Sequence, residues 1–267
     1  MTDTEQDAPG FGALTAKITR DRGFGCASYK EKCLRRRIAV RMRARGVHTF
    51  EDYAAVLDGD PHEYDRLIDA LTINVTKLFR NWETYDAIER LVVPVLLRRP
   101  DPALRVWSAG CSDGAELYTV VILLAESGAL LTGRVELLGT DCRPDAVARA
   151  AAGSFDAQAL KAVPPPLLDR YFEPDGPRHC VRPAIRAATT WRRANALAGC
   201  EPGAWDLVLC RNLAIYLQPD AAAALWASLA AALRPGGVMV LGKAERPSGV
   251  AGLAPEGPCA WRRAGGD

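Results

Sequence analysis

The stretch Leu104-Arg-Val-Trp-Ser-Ala-Gly-Cys-Ser-Asp-Gly-Ala-Glu-Leu-Tyr-Thr-Val-Val-Ile-Leu-Leu-Ala-Glu126 decides the fold of this 267-residue chain. Its first residues are β-branched or bulky and predict a buried strand, and its last part carries apolar residues at helical spacing. Between them, Gly110, Ser112 and Gly114 form a loop of small residues that lets backbone N–H groups approach a ligand closely. A strand, a glycine loop and a helix in this order are typical of α/β folds that hold a nucleotide-type cofactor. An ordinary tight turn fits the same letters.

The composition is that of an ordinary globular protein. Apolar residues make up 49% and charged residues 25% of the chain, and the net charge of +2 argues against a globally basic nucleic-acid binder. No apolar run has the ~18 residues of a membrane span, and the acidic N-terminus lacks the order of a secretory signal, so we expect no membrane insertion. Eight scattered cysteines and three histidines argue against a metal site and favour reduced thiols in a cytoplasmic protein.

Residues 11–99 predict a helical domain with a linker, and residues 100–267 predict an α/β domain. Thr49 is a cap-like residue with an acid three positions later, and Gly46 ends the helix before it. The predicted helices begin near Phe11, span Tyr29–Arg45, cover about 50–57, span Pro61–Leu71 and cover about 82–98.

The second predicted helix carries a cluster of basic side chains. Its arginines are Arg35, Arg36, Arg37, Arg41, Arg43 and Arg45, and Glu31 is the only acid within the helix. Ile38 and Met42 can face a core with Leu34 while much of the cluster faces solvent. Such a face is either simply solvated or a docking surface for an acidic partner. Nucleic acid is a poorer fit, because no aromatic residues are interleaved for base stacking.

The second half of the chain alternates strands and helices, as an α/β sheet requires. Strands are predicted over 134–141, 204–212 and 238–242, with helices after the first two. The stretch from 155 to 200 is irregular and rich in proline, and resembles an insertion in which His179–Val181 and Thr189–Arg192 form short strands.

Asp141 is a second candidate site residue, because it closes a predicted strand 27 residues after Gly114. An acid roughly 20 residues after such a loop commonly binds ribose hydroxyls, so Asp141 lies somewhat beyond the usual spacing. A helix cap or turn role is the alternative. A full Gly-x-Gly-x-x-Gly is missing, which argues against NAD. Gly-x-Ser-x-Gly and Walker-type loops are missing too, which argues against acyl-enzyme chemistry and nucleotide hydrolysis.

Five segments together give the chain a resemblance to a known family. They are the arginine helix; Leu71-Thr-Ile-Asn-Val-Thr-Lys-Leu-Phe-Arg80; Trp107-Ser-Ala-Gly-Cys-Ser-Asp-Gly114; Cys210-Arg-Asn-Leu-Ala-Ile-Tyr216; and Arg234-Pro-Gly-Gly-Val-Met-Val-Leu-Gly242. From about residue 12 to its C-terminus the chain resembles the CheR-type S-adenosylmethionine-dependent methyltransferases, the chemotaxis receptor family.

The resemblance implies a fold, a reaction and a set of site residues. The fold is an N-terminal helical domain followed by a Rossmann-like class I methyltransferase domain, with a small β-subdomain at about 170–195 that tethers a receptor. The reaction transfers a methyl group to glutamate carboxylates of a chemoreceptor, yields S-adenosylhomocysteine and needs no metal. Arg80 and Tyr216 are the implied catalytic residues. The implied cofactor-binding residues are Asn74, Thr76, Arg80, Ala109, Gly110, Glu116, Asp141, Asn195, Ala196, Arg211 and Asn212.

Within that implied set, Glu116 binds the cofactor's amino group, Asp141 its ribose, and Asn195 its adenine. The chain departs from the family pattern at Asp113, Ala115 and Leu117 in the cofactor loop, at Leu78 and Asn81, and in Gly242-Lys-Ala-Glu245. Three hypotheses therefore remain. The first is a receptor methyltransferase, and the second is an S-adenosylmethionine-dependent enzyme that methylates a small molecule or redirects the cofactor's own electrophilic carbons into cyclisation. The third is a non-catalytic sensor that binds the cofactor or its demethylated product.

Overall fold

The computed structural model describes residues 8–72, 76–94, 103–132 and 135–265. The chain forms two compact units, one comprising Met1–Ile73 with Tyr216–Ala221 and the other Asn74–Ile215 with Ala222–Asp267. The units therefore divide at Ile73–Asn74, whereas the sequence-based boundary between 99 and 100 assigned the linker to the helical domain. Among the described residues, no helix is both long enough and apolar enough to cross a membrane.

The described part of the first unit is built mainly from four α-helices. Thr49 accepts a hydrogen bond from the Asp52 N–H through its side chain, Asp60 caps the helix that begins at Pro61, and Gly46 ends the second helix in the left-handed conformation. Apolar stripes of all four helices meet in one core. The helices are α1 Ala8–Arg22, α2 Glu31–Arg45, α3 Phe50–Gly59 and α4 Pro61–Leu71.

The arginine cluster on α2 is divided between the interior and the surface. Arg37 is buried with 7% exposure, and Arg41 donates two hydrogen bonds to the fully buried Glu63. Arg45 is exposed but pairs with Asp60. The face expected to be basic and free is therefore narrower than the sequence suggests. Arg36 and Arg43 are exposed and have no ion pair with another described residue.

The second unit is centred on a seven-stranded mixed sheet in the order β6-β2-β1-β7-β8-β10-β9. The first five of these strands run parallel, and β10 pairs in antiparallel orientation with both β8 and β9. The strands of this sheet are β1 Leu104–Ala109, β2 Val135–Asp141, β6 Thr189–Arg193, β7 Trp205–Cys210, β8 Leu233–Leu241, β9 Leu253–Gly257 and β10 Ala260–Arg263.

Helices connect β1 to β2 and β7 to β8, and a helix follows β2, as predicted. The helix predicted over 82–98 begins at Trp82 and continues as a π-helical turn over Ile88–Val92, and its last residues lie outside the described part. The α-helices of the unit are α5 Trp82–Ala87, α6 Ala115–Glu126, α7 Pro144–Ala152, α8 Ala157–Leu160, α9 Pro165–Tyr171, α10 Pro183–Arg186 and α11 Pro219–Ala232.

A second sheet of three antiparallel strands forms the small β-subdomain. It comprises β3 Ser154–Phe155, β4 Phe172–Asp175 and β5 Arg178–Val181, in the order β3-β5-β4. The structure differs here from the insertion expected over about 170–195. Strand β6 pairs in parallel with β2 at the edge of the main sheet, and the short β3 joins the small sheet in its place.

The indole of Trp191 on β6 covers the backbone of the sheet beside the glycine loop. A Cβ added at Gly139 would collide with ring atoms of Trp191, and one added at Gly114 would lie 2.6 Å from Trp191 Cη2. The same ring lies 5.2 Å from that of Tyr118. Both glycines are therefore required by close packing, and Gly114 also has a φ of +85°.

Candidate active site

The loop after β1 is a sharp turn of small residues. Ala109 is the last residue of β1, and the loop that follows has positive φ values at Gly110 (+70°), Ser112 (+55°) and Gly114 (+85°). Such a backbone turns repeatedly without placing side chains over its own N–H groups. Because β1 lies between β2 and β7 and all three run parallel, their carboxyl ends meet at this edge of the sheet. Open parallel sheets bind ligands at that edge.

Asp141 ends β2 and is held by two backbone donors. Its Oδ2 accepts from the Ser112 N–H at 2.9 Å, and its Oδ1 accepts from the Arg143 N–H at 3.0 Å. The carboxylate is thus locked against the glycine loop. Each of its oxygens retains a further lone pair, so the turn role and a ribose-binding role are compatible in this geometry.

Glu116 is a buried carboxylate in the first turn of α6. Its Oε1 accepts from the Ser108 hydroxyl at 3.0 Å, and its Oε2 lies 3.7 Å from Arg211 Nη1. Burial raises the pKa of Glu116 to about 7, against the opposing effects of Arg211 and Ser108. The ammonium group of a ligand would offset the free-energy cost of burying the ionised carboxylate, so Glu116 is suited to bind a cation.

Arg211 follows β7 and joins three parts of the second unit. Its Nη1 donates to the Tyr85 hydroxyl at 2.8 Å, and its Nη2 donates to the Arg80 carbonyl at 2.8 Å and to Asn81 Oδ1 at 3.2 Å. These bonds tie the 80–81 turn, whose Asn81 has a φ of +63°, to the end of β7. The predicted site residue Arg80 is thus anchored through its backbone.

The segment before Arg80 is anchored as well. The Phe79 N–H donates to Thr119 Oγ1 at 3.0 Å, and the Leu78 N–H donates to the Ala159 carbonyl at 3.1 Å. Thr76 is half-buried at the start of this segment. Asn74, the other residue predicted there, lies outside the described residues.

The remaining predicted residues follow β6 and β7. Asn195 is exposed after β6, where its side chain accepts from the Leu197 N–H, and Ala196 beside it is half-buried. The Asn212 N–H donates to Glu245 Oε2 at 2.9 Å. Tyr216 belongs to the first unit, where its carbonyl accepts from the Lys30 N–H at 2.9 Å and its ring lies 4.7 Å from the Arg37 guanidinium.

Sequence reasoning missed three side chains of this edge: Ser108, Tyr85 and Glu245. Each acts through a hydrogen bond to a predicted site residue or its loop. Ser108 and Glu245 lie inside motifs that carry the family resemblance. Their hydrogen bonds could not be predicted, because they depend on how the loops fold: Glu245 binds backbone N–H groups, and the partner of Tyr85 is distant along the chain.

These residues fit S-adenosylmethionine. The ligand carries an ammonium, a carboxylate, two ribose hydroxyls and an adenine. The edge of the sheet supplies buried carboxylates after β1 and β2, a loop of small residues between them, and a buried Arg211 Nε with no hydrogen-bond partner among the described residues. The sheet and this site define the class I S-adenosylmethionine-dependent methyltransferases, and the chain is an enzyme of this class.

Comparison with known proteins assigns the family. The family description "CheR methyltransferase, SAM binding domain" matches residues 74–254, and "CheR methyltransferase, all-alpha domain" matches residues 9–72. The chain therefore belongs to the CheR methyltransferase family and uses S-adenosylmethionine, as the sequence motifs predicted.

Relatives of similar length carry the same kind of name. A chemotaxis protein methyltransferase of Listeria monocytogenes is 32% identical over 92% of each chain. Another, from Klebsiella aerogenes, is 29% identical over 90% of this chain and 84% of its own. Chemotaxis protein methyltransferase 1 of Pseudomonas aeruginosa is 33% identical over 68% of this chain and 69% of its own.

Proposed function

We propose that this enzyme transfers a methyl group from S-adenosylmethionine to glutamate carboxylates of a chemoreceptor, in the cytoplasm. The full-length similarity to chemotaxis protein methyltransferases carries the proposal. Those relatives do not favour the small-molecule alternative, and family membership favours an enzyme over a sensor. Eight free thiols support a reducing compartment.

The cofactor residues have the following proposed roles. Glu116 binds the amino group, Asp141 binds the ribose hydroxyls, and Ala109 and Gly110 let the backbone approach the cofactor. Asn195 and Ala196 flank the adenine, Arg211 and Asn212 border the pocket, and Asn74 and Thr76 line the amino-acid end. The buried, hydrogen-bonded carboxylates of Glu116 and Asp141 support this assignment most directly.

S-adenosylmethionine supplies a methyl group already activated by its sulfonium. An ionised carboxylate attacks it without a strong general base, so the protein contributes mainly position and exclusion of water. We assign Arg80 to holding the acceptor carboxylate by charge-assisted hydrogen bonds, and Tyr216 to the face of the reacting methyl. The anchored backbone of Arg80 is the kind of preorganisation that this role requires.

The basic helix α2 is the proposed docking surface for an acidic face of the receptor. Arg36 and Arg43 are exposed arginines of this helix for which the structure describes no ion pair with another described residue. The other members of the predicted set have partners: Arg35 with Glu31, Arg41 with Glu63, Arg45 with Asp60, and Arg37 with the Leu71 carbonyl. Docking is therefore assigned first to Arg36 and Arg43.

The function is tested by incubating the purified enzyme with methyl-labelled S-adenosylmethionine, with and without receptor-containing membranes. The expected result is label on the receptor that is released by mild base, as a methyl ester requires. Arg80→Ala should retain S-adenosylhomocysteine binding and lose most of the turnover. Asp141→Ala should weaken that binding in calorimetry.

Two outcomes would contradict the proposal. Label that resists base would exclude a carboxylate acceptor. Breakdown of the cofactor without any protein present, and no labelled receptor, would move the function to the small-molecule alternative.

A further inference from the structure

Glu245 is a buried carboxylate with three backbone donors and no assigned role. It lies just after β8 and is 2% exposed. Its Oε2 accepts from the Gly242 N–H at 2.6 Å and from the Asn212 N–H at 2.9 Å, and its Oε1 accepts from the Ile215 N–H at 3.3 Å. Full burial of a carboxylate is costly unless such donors surround it, so the arrangement is a specific one.

The three donors belong to the ends of two neighbouring strands. Strands β7 and β8 pair in parallel, and Cys210 lies opposite Leu241, so the loops that follow them start side by side. Gly242 belongs to the loop after β8, whereas Asn212 and Ile215 belong to the loop after β7. One carboxylate therefore joins both loops and spans the 212–215 turn from its first residue to its last.

The backbone of this turn is left-handed at its first residue. Asn212 has a φ of +63°, a conformation that asparagine adopts more readily than most residues with a Cβ. A Cβ at position 242 would lie 2.6 Å from Asn212 Nδ2 and 2.7 Å from Glu245 Oε2, so only glycine leaves room for the contact. The 212–215 turn and the Glu245 carboxylate are therefore in close contact with the backbone at Gly242.

We propose that Glu245 is a positioning residue for methyl transfer, acting through the loop that leads into Tyr216. The loop begins with Arg211 and Asn212 at the pocket and is followed directly by Tyr216. Glu245 holds the N–H groups at both ends of the 212–215 turn, the segment that immediately precedes Tyr216 in the chain. The inference rests on the proposed catalytic role of Tyr216.

Glu245→Gln is the substitution that tests the acceptor role of the carboxylate most directly. It keeps the shape of the side chain but offers one acceptor oxygen in place of two, and its NH2 group faces a backbone donor. At least one of the three N–H groups then loses its partner. Glu245→Asp, which keeps both acceptor oxygens, should retain more activity than Glu245→Gln.

The test is a double-mutant cycle on steady-state turnover of receptor methylation. Glu245→Gln should lower kcat about tenfold or more, since small misplacements of reacting groups are that costly. In a Tyr216→Phe background the same change should lower kcat less than about threefold, because the residue through which it acts is already impaired. A purely structural role would lower both backgrounds equally.

A control variant and a second substitution distinguish a positioning role of Glu245 from a general loss of stability. Glu256→Gln changes a half-buried glutamate paired with Arg262 and should leave kcat unchanged. If Glu245→Gln does not fold, Gly242→Ala probes the same contact from the other side and should show the same dependence on Tyr216. Wild-type kcat in Glu245→Gln, or equal losses in both backgrounds, overturns the inference. Wild-type kcat in Tyr216→Phe overturns the proposed role of Tyr216 itself.

Discussion

At the scale of single residues, the protonation of Glu116 links cofactor binding to pH. Its carboxyl has a pKa of about 7 because it is buried, and in our proposal it receives the ammonium of the cofactor. Binding a cation favours the ionised carboxylate, so affinity should increase as the pH rises through the pKa of the free enzyme.

We therefore expect the Kd of S-adenosylhomocysteine to fall as the pH is raised from about 5.5 to 7.5, with a slope approaching tenfold per unit below the pKa. Calorimetry at several pH values measures this slope. Glu116→Gln should bind more weakly and show a flatter profile. An equally steep profile in that variant would remove Glu116 as the source.

At the scale of elements, helix α2 carries Arg41, which pairs with a buried carboxylate, and Arg43, which is exposed. Arg41 pairs with Glu63, whose side chain is fully buried and also accepts from the Tyr53 hydroxyl at 2.8 Å. Arg41→Ala should lower the free energy of unfolding by about 3–5 kcal/mol, because it leaves a buried charge without its main partner. Denaturant unfolding measures it. Arg43→Ala, an exposed neighbour on the same helix, should stay within about 0.5 kcal/mol.

The outer face of α2 should govern docking. Reversing the charge of Arg36 and Arg43 together should lower kcat/KM on receptor membranes roughly tenfold at low salt, with a smaller effect at high salt. The affinity for S-adenosylhomocysteine should not change. Arg20→Glu, on the exposed side of α1, is the control for each single reversal on α2. If the control loses as much activity as the double variant, docking is not specific to α2.

Sequence patterns predicted well the features that depend on near neighbours. The cap at Thr49, the stop at Gly46 and the helix from Pro61 all follow from local chemistry. The burial of Arg37 was not predictable, because its carbonyl partner lies on another helix. Nor was the place of Thr189–Arg193, since strand pairing is decided by long-range packing rather than by the strand's own letters.

The candidate site was predicted mainly by resemblance to a family. The glycine loop and Asp141 indicated a cofactor site from residues alone, and the loop does bind Asp141 through the Ser112 N–H. What a single sequence does not contain is which side chains hold the loops in place. Glu245 accepts from the backbone N–H of Asn212, and Tyr85 accepts from the guanidinium of Arg211, which is distant along the chain. No sequence motif indicates either contact.

At the scale of the whole molecule, cofactor binding should protect one unit more than the other. Saturation at about 100 times Kd adds roughly 2.7 kcal/mol to the stability of the structure that holds the ligand. Hydrogen exchange with and without S-adenosylhomocysteine should therefore show slower exchange around 104–117 and 135–143, including the Ser112 and Arg143 amides. Helices α1 and α3 should change little. Equal protection throughout the chain would contradict a site confined to the end of the sheet.

The indole of Trp191 has a consequence for how this enzyme can diverge. Since it occupies the space that a methyl group at Gly139 would need, the two positions cannot accept changes in any order. Gly139→Ala alone should be strongly destabilising, while Trp191→Leu should make the same alanine tolerable. Substitutions at these two positions therefore have an order: Trp191 on β6 must be replaced by a smaller residue before Gly139 on β2 can be replaced by a larger one.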